Sequence, residues 1–180
     1  MSGPTQKQKR AQDNICIRWM VRSDISKILQ IERASFEFPW SREDLIATLQ
    51  QPNCIGMTAE YQGRIVGFMV YRLFYKKIHL LNFAVHPQYR RQGIGSVMIK
   101  KLISKLGRKK GVKIYLEVRE TNLRAQLFFR KMGFRAVDIL KNYYEDTLED
   151  SYLMEYVSQA DKKVPFFRGR NRISGFFKKT

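Results

Sequence analysis

The chain has 180 residues, 44% apolar and 13% aromatic, which suits one domain with a real core and excludes global disorder. It holds 34 Lys and Arg against 16 Asp and Glu, a formal net charge of +18 that suggests polyanionic surroundings or anionic ligands and says nothing of fold. No apolar run is long enough for a transmembrane helix, and the polar N-terminus lacks the apolar stretch of a secretory signal. Two separated cysteines, Cys16 and Cys54, and two histidines indicate neither a disulfide scaffold nor a metal cluster, so a cytoplasmic home and no metal are expected.

In chain order, ICIRWMV (15–21) reads as a first strand, and Ser23 as the cap of a helix with Ile25, Ile28, Leu29 and Ile31 along one stripe. FEFPW (36–40) breaks that helix at Pro39. SREDLIATL opens a second, with Ser41 and Asp44 as an acidic capping box. CIGMTAEY and RIVGFMVYRLF, joined by Gln62-Gly63, predict an antiparallel pair. KIHLLNFAV (77–85) is a further strand, stopped by His86-Pro87. The Gly-punctuated loop QYRRQGIG leads into a helix with Ile94, Val97, Met98, Leu102, Ile103 and Leu106 on one face. VKIYLEVRE (112–120) is a strand. TNLRAQLFFRKMGF predicts a helix with Thr121 as N-cap, Leu123, Leu127, Phe128 and Met132 inward, and Gly133 as its stop. Phe134 to Lys141 and Leu148 to Val157 make a last strand pair around NYYEDTLED. The order indicates a mixed α/β sheet.

The charge divides unevenly: +2 on residues 1–13, +6 on 161–180 and +10 between them. We therefore expect a basic flexible N-terminus (1–13), one domain (14–158) and a basic aromatic tail (159–180).

The sharpest segment is LLNFAVHPQYRRQGIGSVMI. Gly93 and Gly95 let a ligand phosphate approach the backbone, the free N–H groups at the helix start suit a pyrophosphate, and Arg90 and Arg91 add charge. The GxGxxG and GxxxxGK[ST] fingerprints are absent. By itself the segment also fits a helix start with two flexible glycines.

R-x-x-G-x-G after a strand, with the following β-α-β arrangement, resembles the acetyl-CoA-binding core of the GNAT superfamily of N-acetyltransferases over roughly residues 15–157. ERASFEFPWS (32–41), LEVRETN (116–122) and NYYEDT (142–147) are similar to the RimI-type ribosomal-protein N-alpha-acetyltransferases, which act on an N-terminal alanine. The resemblance implies a mixed, mostly antiparallel sheet of about seven strands flanked by about four helices, with acetyl-CoA between the 77–85 and 112–120 strands. It implies that Phe83, Ala84 and Val85 bind the pantetheine arm and acetyl carbonyl. It further assigns Arg91, Gln92, Gly93, Ile94, Gly95 and Ser96, with Arg90 beside them, to the pyrophosphate, Asn122 to CoA and Glu117 to proton acceptance. The family's tyrosine acid, in a pattern like LYESLGF, falls on Phe129 in FFRKMGF, a departure that leaves that position without a hydroxyl.

Alternation puts Glu117 on the face opposite Leu116 and Val118, where a carboxylate needs a partner or a task; a salt-bridged Glu is the other reading. Tyr143 or Tyr144 is expected to donate the proton in place of Phe129 or to shape the peptide slot. FEFPW is either a small staple, with Phe38 and Trp40 packed inward, or one wall of the acceptor groove. Glu37, Glu145, Asp146, Glu149 and Asp150 are candidates to attract a cationic peptide terminus. His79 is a strand histidine, structural or a base. The tail, with Phe166, Phe167, Phe176 and Phe177 among Arg and Lys, reads as a disordered extension, an rRNA contact or a membrane-surface segment. The expected activity is acetylation of a protein α-amine, that of a ribosomal protein, by a monomer. Lysine or polyamine acetylation, and a CoA- or RNA-binding module without turnover, are the alternatives.

Overall fold

The computed structural model describes residues 14–107 and 111–157. Seven strands and four α-helices follow one another: β1 (Ile15–Trp19), α1 (Ile25–Ser35), α2 (Arg42–Leu49), β2 (Cys54–Tyr61), β3 (Arg64–Phe74), β4 (Lys77–Val85), α3 (Ile94–Ser104), β5 (Lys113–Arg119), α4 (Leu123–Lys131), β6 (Arg135–Tyr144) and β7 (Glu149–Val157). They form one sheet in the order β1-β2-β3-β4-β5-β7-β6. Every neighbouring pair is antiparallel except β4 and β5, which run parallel. No helix among the described residues is long and apolar enough to cross a membrane.

Helices cover both faces. One core layer holds Met98, Ile99 and Leu102 of α3 with Ile114, Leu116 and Val118 of β5 and Phe129 of α4. The other holds Ile28, Leu29 and Ile31 of α1 and Leu45 of α2 against Phe68, Val70 and Ala84. Each of the buried Val, Leu, Ile, Met and Phe side chains among these contributes about 1.5–3 kcal/mol. β4 serves both layers because its pairing with β3 skips Leu81: Val70 faces Asn82, and Tyr71 faces Leu80. A one-residue bulge turns the strand over. Ile78 and Leu80 therefore pack on the α3 side, while Asn82 and Ala84 turn to the α1 side.

The Ser41–Asp44 capping box is present, with Ser41 Oγ accepting from Asp44 N at 3.0 Å and Asp44 Oδ2 accepting from Ser41 N at 3.0 Å. Elsewhere the ends differ from the expected ones. Ser23 does not cap α1; it sits in a 3₁₀ turn, Arg22–Asp24, whose buried Asp24 accepts from Val21 N and from Arg18. α4 is capped by Asn122 rather than Thr121, through Asn122 Oδ1 and Ala125 N at 3.1 Å. Leu123 and Leu127 are exposed, Phe128 and Met132 pack against the core as expected, and Phe129 is the buried residue of α4, 6% accessible. β6 runs on to Tyr144, so Asn142, Tyr143 and Tyr144 belong to a strand and not to a loop. Gly133 does stop α4, in the left-handed region at φ +95°.

Candidate active site

β4 and β5 pair only where they begin, Lys77–His79 against Lys113–Tyr115. Beyond that the two strands part, each keeping its outer neighbour, β3 or β7. Their carboxyl halves, 80–85 and 116–119, thus flank a wedge at the point where a parallel sheet commonly receives a ligand. Phe83, Ala84 and Val85 line one side of it. Ala84 is buried on the α1 side, and the Phe83 ring stacks on Phe128 (centroids 5.8 Å, 15°) on the other.

The loop after β4 is tightly built. His86 Nδ1 accepts from Gln88 N, Arg90 Nε donates to Val85 O at 2.9 Å, and Gln92 Nε2 donates to Gln88 O at 3.2 Å. Arg91 (φ 66°) and Gly93 (φ 90°) are left-handed and turn the chain into α3. A side chain on Gly95 would meet the Phe128 ring at 3.2 Å and Phe83 at 3.4 Å, so the helix start lies close against the aromatic floor. The N–H groups of Ile94, Gly95 and Ser96 open an 11-residue helix and have no acceptor within it. With exposed Arg90 and Arg91 beside them, these groups fit a pyrophosphate. Asn122 has its side-chain oxygen committed to the α4 cap.

Phe129 lies beneath the wedge, its ring 5.8 Å from Phe83 and 5.4 Å from Phe134. It is a core residue with no proton to give.

On the α1 side of β5, Glu117 Oε2 lies 2.6 Å from His79 Nε2, with the two side chains 14% and 19% exposed. The His79 ring stacks on Tyr115 at 4.3 Å and 19°. The histidine's role was open in the sequence; the parallel register Lys77–Lys113 sets His79 opposite Tyr115, one alternation short of Glu117. Tyr143 and Tyr144 meet edge to face at 5.1 Å. Burial pushes both phenols above their usual range, and the Glu117 charge adds to it; Arg119 and a Ser151 hydrogen bond oppose the rise at Tyr144. Both therefore stay protonated at neutral pH.

Sequence reasoning missed Arg119. Its guanidinium donates to Asp146 Oδ2 at 2.7 Å, Thr147 Oγ1 at 2.7 Å and Glu149 Oε2 at 3.2 Å. The same group lies 3.8 Å from the Tyr144 ring centroid and 5.2 Å from that of Phe38. It fastens the 36–40 loop to the β6–β7 turn. Asp146 and Glu149 are thus satisfied within the chain, and Asp150 pairs with Lys141, so these three carboxylates do not stand free for a cationic peptide. Glu37 and Glu145 remain exposed.

FEFPW divides between its two readings. Trp40 is anchored inward: its backbone N–H donates to Glu32 Oε1 at 2.9 Å, and Asn82 Nδ2 holds the same carboxyl at 3.1 Å and 3.2 Å. Burial raises the Glu32 carboxyl above the usual range, against the pull of those two donors. Phe38 is 48% exposed over Arg119. The signal for Glu32 was present, since the apolar stripe of α1 passes through it, but its partner Asn82 is 50 residues away. The described residues contain no group of His, Cys, Asp or Glu able to hold a metal.

The chain is similar to known proteins in sequence and fold. The acetyltransferase (GNAT) family model matches residues 25–134. The [ribosomal protein bS18]-alanine N-acetyltransferase of Escherichia coli K12 is 31% identical over 134 residues, 73% of this chain and 90% of that protein. The crystal structure of the ribosomal-protein-S18-alanine N-acetyltransferase from Escherichia coli superposes with a TM-score of 0.73 at 27% identity, covering 85% of this chain and 99% of that one. The structure of Arabidopsis thaliana NAA60 in complex with acetyl-CoA shares the fold, with a TM-score of 0.69 at 23% identity over 79% of this chain and 99% of that one. The wedge, the left-handed loop into α3 and a family match across most of the domain make this chain a member of the GNAT acetyltransferase family, and an N-acetyltransferase.

Proposed function

We propose that the chain acetylates the N-terminal α-amine of a protein, that of a ribosomal protein beginning with alanine, using acetyl-CoA as co-substrate. The observation that carries this reading is the Glu117–His79 pair beside the wedge, its carboxylate close enough to act electrostatically on two phenols. The 31% identity with the Escherichia coli bS18-alanine N-acetyltransferase supports the choice of acceptor.

In this reading the α3 N-terminus with Arg90 and Arg91 holds the pyrophosphate, and the backbone of Phe83–Val85 holds the pantetheine arm along the open edge of β4. Acetyl-CoA supplies the thioester that the amine attacks directly. Glu117 takes the amine proton, directly or through a water, and His79 fixes the carboxylate's orientation. Little basicity is needed. An α-amine has a pKa of about 7.7–8.0, so about a third is neutral at pH ~7.5, whereas a lysine at about 10.4 is neutral about once in a thousand. The chain is then suited to α-amines without a strong base.

Phe129 supplies no acid, and the cost is modest. A thiol with a reference pKa of about 8.5 is disfavoured as thiolate by only ~1.4 kcal/mol at pH ~7.5. Tyr143 or Tyr144 donates that proton; the two phenols and Phe38 form the acceptor slot with Trp40 behind it. Binding both substrates together provides the remaining acceleration through proximity. The enzyme works as a monomer in the cytoplasm, with residues 14–158 as the catalytic domain and 1–13 and 159–180 as basic extensions. The tail, with its expected rRNA contact, falls outside the described residues.

Acetyl-CoA turnover on hexapeptides with free and blocked N-termini tests this. Thiol release with a free N-terminal alanine, and none when that amine is blocked, is the expected result. Equal rates on blocked peptides carrying an internal lysine, or on spermidine, would favour lysine or polyamine acetylation. Tight CoA binding with no release on any acceptor would favour a module without turnover.

A further inference from the structure

At the opposite end of β4 from the Arg90–Gly95 loop, two segments remote in sequence lie side by side. Residues 70–79 contain Arg72, Lys76 and Lys77, and residues 97–107 and 111–113 contain Lys100, Lys101, Lys105 and Lys113: seven cations and no Asp or Glu in these described segments. The parallel pairing joins the segments, since Lys77 stands opposite Lys113 and Lys113 N donates to Lys76 O at 3.1 Å. Glu155 of β7 meets Lys113 at 3.0 Å, while Lys76, Lys77 and Lys105 enter no ion pair among the described residues.

Aromatic rings are interleaved with these cations. Tyr75, at the β3–β4 turn, is 88% exposed, Trp19 is 57% exposed and Phe74 is 48% exposed. Lys76 Nζ stands 5.3 Å over the Tyr75 ring, Lys105 Nζ 5.3 Å over Trp19 and the Arg72 guanidinium 5.8 Å over Phe74. Exposed rings beside cations suit a polyanion that also carries planar faces. Phosphates meet the lysines and unpaired bases stack on the rings. β4 spans nine residues, so this surface lies about 30 Å from the acetyl-CoA loop.

The geometry points to this end of the sheet as a binding surface for single-stranded RNA. It is independent of the acceptor assigned above. The test uses the full chain and the anisotropy of a labelled, ~20-nucleotide uridine-rich RNA between ~50 and ~300 mM salt, for the parent, for K76E/K77E/K105E and for Tyr75→Ala. Unfolding temperatures near that of the parent verify that the variants fold. The triple variant is expected to bind at least ~10-fold more weakly at ~150 mM salt, with the salt slope reduced by about 2. Tyr75→Ala is expected to lose ~5- to 10-fold with the slope unchanged. A triple variant with the parent's affinity and slope, or a parent that binds no RNA, overturns the inference. So does a triple variant that loses binding to phosphatidylserine vesicles but not to RNA, which would mark a membrane surface instead.

Discussion

The two ends of the β4–β5 pair use charge in opposite ways. At the open end the cations of the β6–β7 side are matched with carboxylates, Arg119 holding Asp146 and Glu149 and Lys141 holding Asp150, and Arg90 and Arg91 stand exposed on the other. At the paired end lysines accumulate without acids, apart from Glu155 against Lys113. The first arrangement ties side chains to one another, as a reacting site needs. The second leaves Lys76, Lys77 and Lys105 without ion-pair partners among the described residues, as a polyanion surface needs. A net charge of +18 is therefore not a uniform property of this molecule.

The strongest way to break that comparison is at Glu117. Glu117→Gln should lower kcat/KM by ~10²–10⁴-fold in a thiol-release assay while acetyl-CoA affinity and RNA binding stay as they were. An unchanged rate would remove Glu117 from proton transfer. Gly95→Val comes next. The ring contacts at 3.2 Å and 3.4 Å leave its side chain no room, so KM for acetyl-CoA should rise ~10-fold or more with peptide KM little altered.

Arg119→Gln releases the 36–40 loop from the β6–β7 turn. Peptide KM should rise ~5- to 10-fold with kcat nearly constant, since the two loops would hold the acceptor less firmly while Glu117 remains in place. An equal loss in kcat with unchanged KM would assign Arg119 to the chemistry instead. The smallest effect concerns pH. Asp24 is held below the usual carboxylate range chiefly by its Arg18 hydrogen bonds. The folded chain therefore binds this proton more weakly than the unfolded chain does. Its stabilisation is complete above the unfolded carboxylate value and is lost as pH falls through the lowered one. Asp24→Asn should lower Tm at neutral pH and narrow the gap to the parent in acid; a gap independent of pH would mean that packing, not charge, is what Asp24 supplies.

Local signals carried far because they involve near neighbours. The Ser41–Asp44 box spans three residues, Gly133 needs only its own φ, and β4 emerged with both ends as expected because His86-Pro87 closes it. The α4 cap shows where such reading fails. Thr121 and Asn122 are both good caps, and which of them caps, like which face of α4 meets the core, is settled by packing against the sheet: Phe129, not Leu127, is buried. The tyrosines shared that fate: β6 continues through Tyr144 because β7 is there to pair with it.

By itself, the sequence determined the element order, the Arg90–Ser96 loop and the presence of a lone carboxylate in β5, all set by periodicity, glycine and the chain's own spacing. Only the tertiary structure decided the partners. His79 reaches Glu117 across 38 residues, Asn82 reaches Glu32 across 50, and Arg119 joins loops from opposite ends of the domain. Such contacts depend on the parallel register of two strands and on one bulge at Leu81, and a register is fixed by the whole packed sheet rather than by any segment within it.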